Sequence, residues 1–304
     1  MKVADLSVAE SRLQLGSAGL GLRMGPFHVR VRTRLPALTR LVRELYWDYP
    51  VVDGPLWDFD VRVAPPSLVR RWLRPQVQFY VDGRTPFEPL AAAHHLPILE
   101  WGINWCTAAR CHHLLMLHAA VVERGGRAML LPAWPGHGKS TLCAALVHSG
   151  WRLLSDEFGL VRPGDGLLLP LARLIALKNA SIDIIRRFAP DAHIGPLFQG
   201  TRKGTVAHVR PPADSVERAG EPVRPGWLVF PRWVPRAPLR LEPMEKAQAF
   251  LMVASNAFNY EVLGETGFRL VDAIVGSCAC YTLSYSDLGE AVEALDRMTR
   301  PADG

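Results

Sequence analysis

The strongest constraint on the fold is a nine-residue string, Ala133-Trp-Pro-Gly-His-Gly-Lys-Ser-Thr141. It follows an apolar run that ends at Leu131 and opens an apolar stretch, Ser140–Ser149, with Gly150 placed to terminate a helix. Glycines let backbone N–H groups close around phosphate oxygens, and a helix N-terminus turns its positive dipole end toward the anion. A lysine then meets the β and γ charge and a hydroxyl meets magnesium. Gly136, Gly138, Lys139 and Ser140 supply these parts in order, so Pro135, Gly136, His137, Gly138, Lys139, Ser140 and Thr141 are assigned to the phosphates of a nucleotide. Ala133 stands where the strict pattern has its first glycine, a change that a compact residue tolerates. The competing reading, a chance turn, gives no reason for the strand before the string and the helix after it.

Two β-prone runs, Leu114–Glu123 and Arg127–Leu131, flank Arg124-Gly-Gly-Arg127, a hairpin signal. With the glycines at the centre of the turn, Arg124 pairs with Arg127, Val121 with Leu130 and His118 with Ala133. That register brings His118 to the mouth of the loop. A helix of about ten residues at ~1.5 Å rise runs back as far as the strand Trp151–Ser155 returns at ~3.3 Å per residue. A right-handed crossover therefore carries Asp156 and Glu157 back to the sheet edge that holds the loop. Adjacent carboxylates there suit a magnesium site, Asp156 with Ser140, and a base for an attacking hydroxyl, Glu157. The alternatives are an ordinary acidic turn or a helix cap. For His118 they are a packed core histidine or a polar contact to phosphate or Asp156.

Composition removes several other classes. The chain has 304 residues, 49% of them hydrophobic and 21% charged, enough for a core without metal or disulfide staples. No stretch nears the ~20 uncharged apolar residues of a membrane helix, and Leu167–Leu177 is broken by Pro170 and Arg173. Met1–Ser11 carries Asp5 and Glu10 without the basic-then-apolar order of a signal peptide, so the expected compartment is the cytoplasm. Cys106, Cys111, Cys143, Cys278 and Cys280 lack zinc-knuckle or CxxC spacing and read as reduced, mostly buried thiols. A net charge of +6 and a pI near 9.3 favour anionic partners, but the excess lies in scattered arginines. Neither a nucleic-acid partner nor a membrane is expected.

Along the chain, Phe27–Arg32, Phe59–Val63 and Gln76–Val81 alternate like strands, Pro36–Tyr46 has helical spacing, and Pro97–His113 reads as a helix. Proline-rich stretches at Ala64–Ser67, Val209–Asp214 and Val223–Pro235 read as joints. The pattern predicts a smaller N-terminal α+β domain over 1–111 and a catalytic domain over 112–304. Toward the C-terminus Glu245–Ala254 and Leu263–Ile274 look helical and Cys280–Tyr285 looks like a strand. Asp287–Met298 is an amphipathic helix with Asp287 as N-cap.

The string His118-Ala-Ala-Val-Val, the hairpin, Pro135-Gly-His-Gly-Lys-Ser-Thr and Gly150-Trp-Arg-Leu-Leu-Ser-Asp-Glu157 resembles the catalytic core of the HPr serine kinase family, and more closely its HPr-related kinase A branch. Leu99-Glu-Trp-Gly-Ile-Asn-Trp105, Leu177-Lys-Asn-Ala-Ser-Ile182, Thr201-Arg-Lys-Gly-Thr-Val-Ala-His208 and Asn256-Ala-Phe-Asn-Tyr260 extend the likeness over most of the chain. The resemblance implies an α/β fold of the HPr kinase and phosphoenolpyruvate carboxykinase-like P-loop type. It implies ATP and Mg2+, and transfer of the γ-phosphate to a serine of a small protein or peptide, with a PqqD-like peptide-binding protein as an expected companion. His118 matches the family's active-site histidine, Lys139 and Ser140 its phosphate and magnesium contacts, and Asp156 and Glu157 its paired aspartates. Glu157 replaces the second aspartate, the usual base, which leaves the reverse reaction open.

The family's Ile-Glu-Leu-Arg-Gly-like segment is absent, and Leu171-Ala-Arg-Leu-Ile-Ala-Leu-Lys-Asn179 stands in its place. Arg173 and Lys178 are candidates there for phosphate contact and Asn179 for fixing a backbone, with exposed surface residues as the alternative. Gly200–Arg210 reads as a glycine-hinged cationic loop whose Lys203, with Arg202, His208 and Arg210, closes over the γ-phosphate. Asn259 is read as a nucleotide contact or a helix cap, with packing of Phe258 and Tyr260 as the plainer reading of that segment. Parent-family hexamers raise the expectation of a homo-oligomer. The alternatives to the protein kinase are a small-molecule kinase and a nucleotide-gated binding module with little turnover, in which the N-terminal domain recruits a partner through Trp47, Trp57 and Trp72.

Overall fold

Alternating apolar side chains build the first sheet of the computed structural model, which describes residues 1–134 and 136–300. Pro135, assigned on sequence to the phosphate loop, lies outside the described residues. Helix α1 (Val8–Gly16) precedes β1 (Leu20–Met24) and β2 (Phe27–Thr33). Helix α2 (Pro36–Leu45) leads to β3 (Phe59–Ala64), β4 (Gln76–Val81) and β5 (Leu90–Ala91), and α3 (His95–Arg110) follows. The strands lie in sequence order, β2 parallel to β3 and the other pairs antiparallel. Val29, Val31, Val61, Val63, Phe79 and Val81 are buried with the apolar stripe of α2, while the intervening Arg30, Arg32, Asp60, Arg62 and Tyr80 take the other face. Strand β1 shows no alternation in the sequence because nearly all of it is buried.

The second half is built around β6 (Leu115–Arg124) and β7 (Arg127–Pro132), a hairpin in the expected register, with Arg124 opposite Arg127 and Val121 opposite Leu130. Gly125 and Gly126 have φ of +59° and +77°, the backbone that a two-residue hairpin turn requires. Then come α4 (Lys139–His148), β8 (Arg152–Ser155), β9 (Phe158–Val161), β10 (Leu168–Leu169), β11 (Ile175–Lys178) and α5 (Ala180–Phe188). The chain continues through β12 (Phe198–Thr201), β13 (Gly204–Val209), α6 (Ala213–Glu217), β14 (Arg224–Trp233) and β15 (Arg240–Pro243). It ends with α7 (Lys246–Ser255), α8 (Tyr260–Leu263), α9 (Glu265–Ser277), β16 (Ala279–Tyr285) and α10 (Leu288–Thr299). The large mixed sheet runs β10-β9-β6-β7-β14-β16-β15, with β8 also on β6; β11, β13 and β12 form a smaller sheet.

This is an α/β fold with mixed sheets. On one face of the large sheet Ala120, Val122, Met129, Leu131 and Val229 pack under α4 and α10; on the other Leu117, Ala119, Val121, Leu130 and Leu228 pack under α7 and α9. The N-terminal sheet does not end at residue 111 in packing terms, since its core also takes in Met116, Phe158, Leu160, Leu171, Leu174 and Phe198. Among the described residues no helix is long and apolar enough to cross a membrane.

Two stretches differ from the sequence expectation. Val223–Pro235 is not a joint, since it contains β14, parallel to both β7 and β16. Its prolines, which offer no N–H, are placed where the ladder does not need one: Pro225 borders a register shift, and Pro231 lies beyond Leu228, the last residue paired with β7. Gly200–Arg210 is not a flexible loop, since it is the turn and second strand of the β12–β13 hairpin, with His208 opposite Ala176 on β11. The run of cations masked the strand pattern Val206, Ala207, Val209, all of it buried.

Candidate functional site

Strand β6 assembles the site. Along one edge it pairs with β8 through Val121–Glu123 and with β9 through Leu115–His118. These are two stretches of one interrupted strand, and the interruption is Asp156-Glu157, held level with Ala119 and Ala120. His118 shares its face with Ala120 and Val122, the face covered by α4, so it lies beside the carboxylates and the start of that helix. Its backbone N–H donates to Asn256 O at 2.7 Å, and the Phe258 ring lies 5.4 Å from the imidazole.

From β7 the chain turns into α4 through Gly136 and Gly138, at φ of +89° and +86°. Glycine at 138 is needed twice over, because a Cβ there would also meet the Tyr285 hydroxyl at 2.8 Å. The carbonyl of His137 accepts from Trp233 N at 3.1 Å, tying the loop to β14. Lys139, 8% exposed, folds back so that its ammonium donates to the Asp156 carbonyl and lies 3.8 Å from Asp156 Oδ1. That oxygen is buried and has no hydrogen-bond partner. His118 Nε2 is 3.6 Å from Glu157 Oε1.

The two carboxyl groups are driven apart. Burial pushes Asp156 up more than the Lys139 ammonium pulls it down, and Glu157 adds to the rise. Burial would raise Glu157 too, but Lys139, His118, Lys203 and Lys178 together outweigh it and hold that carboxyl below its ordinary range. Burial, then Lys139, keeps His118 below the usual imidazole value, with Glu157 opposing.

His118, Lys139 and Glu157 line a cleft of about 520 Å³, within the range of small-ligand sites, together with Trp134, Ser140, Thr141, Asn179, Lys178 and Lys203; Asp156 lies behind it and lines an adjoining cavity with Glu157, Lys178 and Lys203. Lys178 ends β11, and its carbonyl accepts from Ser181 Oγ at 2.6 Å. Lys203 sits at the tip of the β12–β13 hairpin, its ammonium 5.9 Å from the Trp101 ring. Asn179, at φ +51°, joins these elements: Oδ1 accepts from Thr205 N at 3.0 Å and Nδ2 donates to Lys203 O at 3.4 Å. The N-termini of α4 and α5 both open on this cleft.

The other sequence candidates do not line this cleft, although Arg173 and His208 line the adjoining cavity with Asp156, Glu157, Lys178 and Lys203. Arg173 is buried and its guanidinium is taken up by Glu100 Oε2 at 2.6 Å and by Asn104 Oδ1, so it is not a free phosphate contact. His208 is buried in β13, and Arg210 reaches Glu44 O at 3.5 Å beyond the far end of that strand. Arg202 is exposed beside Lys203 without lining the cleft. Asn259 is the N-cap residue of α8, as one sequence alternative has it, and its carbonyl accepts from Leu263 N at 3.0 Å; its side chain does not cap the helix but accepts from Met116 N at 3.0 Å and donates to Leu114 O at 2.8 Å. The sequence reading does not single out Trp101 or Ser181, which look like a helix-face residue and an ordinary first-turn serine. Compared with known proteins, the chain matches no family model and no curated protein.

Proposed function

We propose that the chain is a phosphotransferase of the HPr serine kinase family, close to the HPr-related kinase A branch, that moves the γ-phosphate of ATP to the hydroxyl of a serine in a small protein or peptide. The observation that carries this reading is the convergence of a glycine-turned helix N-terminus, Lys139, Glu157 and the cations Lys178 and Lys203 on one cleft, with Asp156 buried directly behind Lys139 and its pKa shifted opposite to that of Glu157. The residues fit magnesium: the unpartnered Asp156 Oδ1 and the adjacent Ser140 hydroxyl are hard oxygen donors. Ser140 and Asp156 would hold Mg2+, which neutralises charge on the phosphates.

In this mechanism the N–H groups of the loop and the Lys139 ammonium orient the triphosphate. Glu157, ionised at neutral pH and steadied by His118, accepts the proton of the attacking hydroxyl. The acceptor oxygen bonds to the γ-phosphorus as the bond to the β,γ-bridging oxygen breaks, and ADP leaves. Lys203 and Lys178 offset the charge on the transferring group. The test is transfer of γ-labelled phosphate from Mg-ATP into size-separated fractions of source-cell lysate. Label in a small-protein or peptide fraction that is lost with Lys139→Ala is the expected result. Label only in small molecules would turn the reading to a small-molecule kinase, and ATP binding without any Lys139-dependent label would turn it to a nucleotide-gated binder.

A further inference from the structure

Two clefts adjoin at Pro36 on the N-terminal part of the molecule, one of about 730 Å³ and the other of about 670 Å³. The first brings together Arg12, Arg40, Arg43 and Arg210 from α1, α2 and the end of β13. The second brings together Arg32, Arg34, Arg62 and Arg71. Among the residues lining either cleft the one carboxylate is Glu44, and His193 Nε2 already engages it at 2.9 Å. Of these guanidiniums Arg32 is the one in an ion pair, with Asp60 at 2.8 Å; Arg34 and Arg43 donate to the backbone carbonyls of Gly16 and Leu6. Arginines scattered along the sequence are thus gathered on one surface, where their like charges repel and, among the described residues, Arg32 alone of the eight has a carboxylate in an ion pair.

Such a surface takes a polyanion, and the side chains at its rim decide which. Arg43 lies 5.3 Å over Trp47, Arg71 5.2 Å over Trp72 and Arg62 4.1 Å over Tyr80. Each ring is covered on one face in this way, and the exposed aliphatic Leu68 on the second cleft suits an apolar side chain of a peptide rather than the stacked bases on which single-strand binding depends. A guanidinium stacked on a ring still presents its N–H edge, which matches a planar carboxylate. Leu68 and Trp72, 83% and 78% exposed, add an apolar foothold at the rim of the second cleft. We propose that the paired clefts dock an acidic segment of a partner protein, with its carboxylates on the arginine edges and an apolar side chain against Leu68 and Trp72. Arg210 lies at the opposite end of β13 from Lys203, roughly 20 Å away for six residues at ~3.3 Å. Docking there therefore stands independently of the phosphotransfer reading.

The experiment is fluorescence anisotropy of the full chain with a labelled peptide of Asp and Glu interrupted by Leu and Phe, and separately with a labelled single-stranded RNA of equal length. Peptide binding should weaken about tenfold between low and moderate salt, as screening closes the Debye length to about 8 Å. The reversals Arg12→Glu with Arg40→Glu, and Arg34→Glu with Arg71→Glu, should each weaken it at least about tenfold, and the single neutralisation Arg40→Gln about two- to fivefold. An unchanged thermal midpoint confirms that each variant is folded. Absence of peptide binding, or peptide affinity indifferent to the reversals, overturns the proposal. So does RNA that binds more tightly than the peptide and is lost in the same variants, which would make the surface a nucleic-acid site.

Discussion

At the scale of single residues, Glu157 and Lys139 divide the proposed labour. Glu157→Gln keeps the size and hydrogen-bonding reach of the side chain but cannot take a proton, so turnover should fall by about 10²–10⁴ while the affinity for ATP, measured by calorimetry, stays within about twofold. Equal loss of both would place Glu157 in binding rather than proton transfer. His118 and the pair Asp156-Glu157 were legible in the sequence because a hairpin register and a helix-strand return are simple arithmetic. His208 was not: a histidine among cations and glycines looks like part of a mobile loop, and only the pairing of β13 with β11 buries it. Burial, with Arg173 adding to it, pushes that imidazole down to about 3. The unfolded chain therefore binds a proton that the folded one refuses, and below the ordinary histidine value of 6.5 stability falls as pH falls, by about 1.4 kcal/mol per unit until the folded value is reached. Denaturant midpoints of His208→Phe should show a shallower acid-side decline than the parent; parallel curves would mean that His208 is solvated.

At the scale of elements, the cleft depends on how the β12–β13 tip is held against the start of α5. Asn179 does this from a backbone conformation that favours glycine, and it makes both hydrogen bonds to the neighbouring turn. Asn179→Ala keeps the strain and loses the bonds, a cost of about 1–3 kcal/mol. Asn179→Gly loses the same bonds but relieves the backbone, so its thermal midpoint should lie above that of the alanine variant. Phosphoryl transfer should drop to the same low level in both if Asn179 positions Lys203; transfer that follows stability instead would reduce its role to holding the fold. The strand β14 marks where reading by element runs out. Two prolines and the aromatic-arginine pattern Trp-Leu-Val-Phe-Pro-Arg-Trp conceal an interior strand, because what admits Pro225 and Pro231 is a register shift and the short reach of β7, neither written locally.

At the scale of the molecule, the N-terminal sheet and the candidate site share an interior. Glu100 on α3 receives Arg173 and the Tyr46 hydroxyl, all buried, and the Tyr49 hydroxyl donates to Ala172 O at 2.7 Å. Arg173→Met alone should cost about 3–5 kcal/mol, since it strands a buried carboxylate, whereas Arg173→Met with Glu100→Leu should recover most of that loss in a denaturant titration. If the double variant is no better than the single one, the pair is not what joins the two parts. The α/β class was legible from the strand-loop-helix string, but this continuity of core was not, because the residues that meet are some seventy positions apart.

The five cysteines are all buried and free, and burial raises the thiols of Cys106, Cys111 and Cys278 to about 12. Since the thiolate is the reactive form, the native chain is nearly silent toward maleimides at neutral pH. A cysteine introduced at the exposed Arg202 would then be the dominant labelling site without removal of any native one. A fluorophore there would report directly on whether the hairpin tip shifts when nucleotide is added.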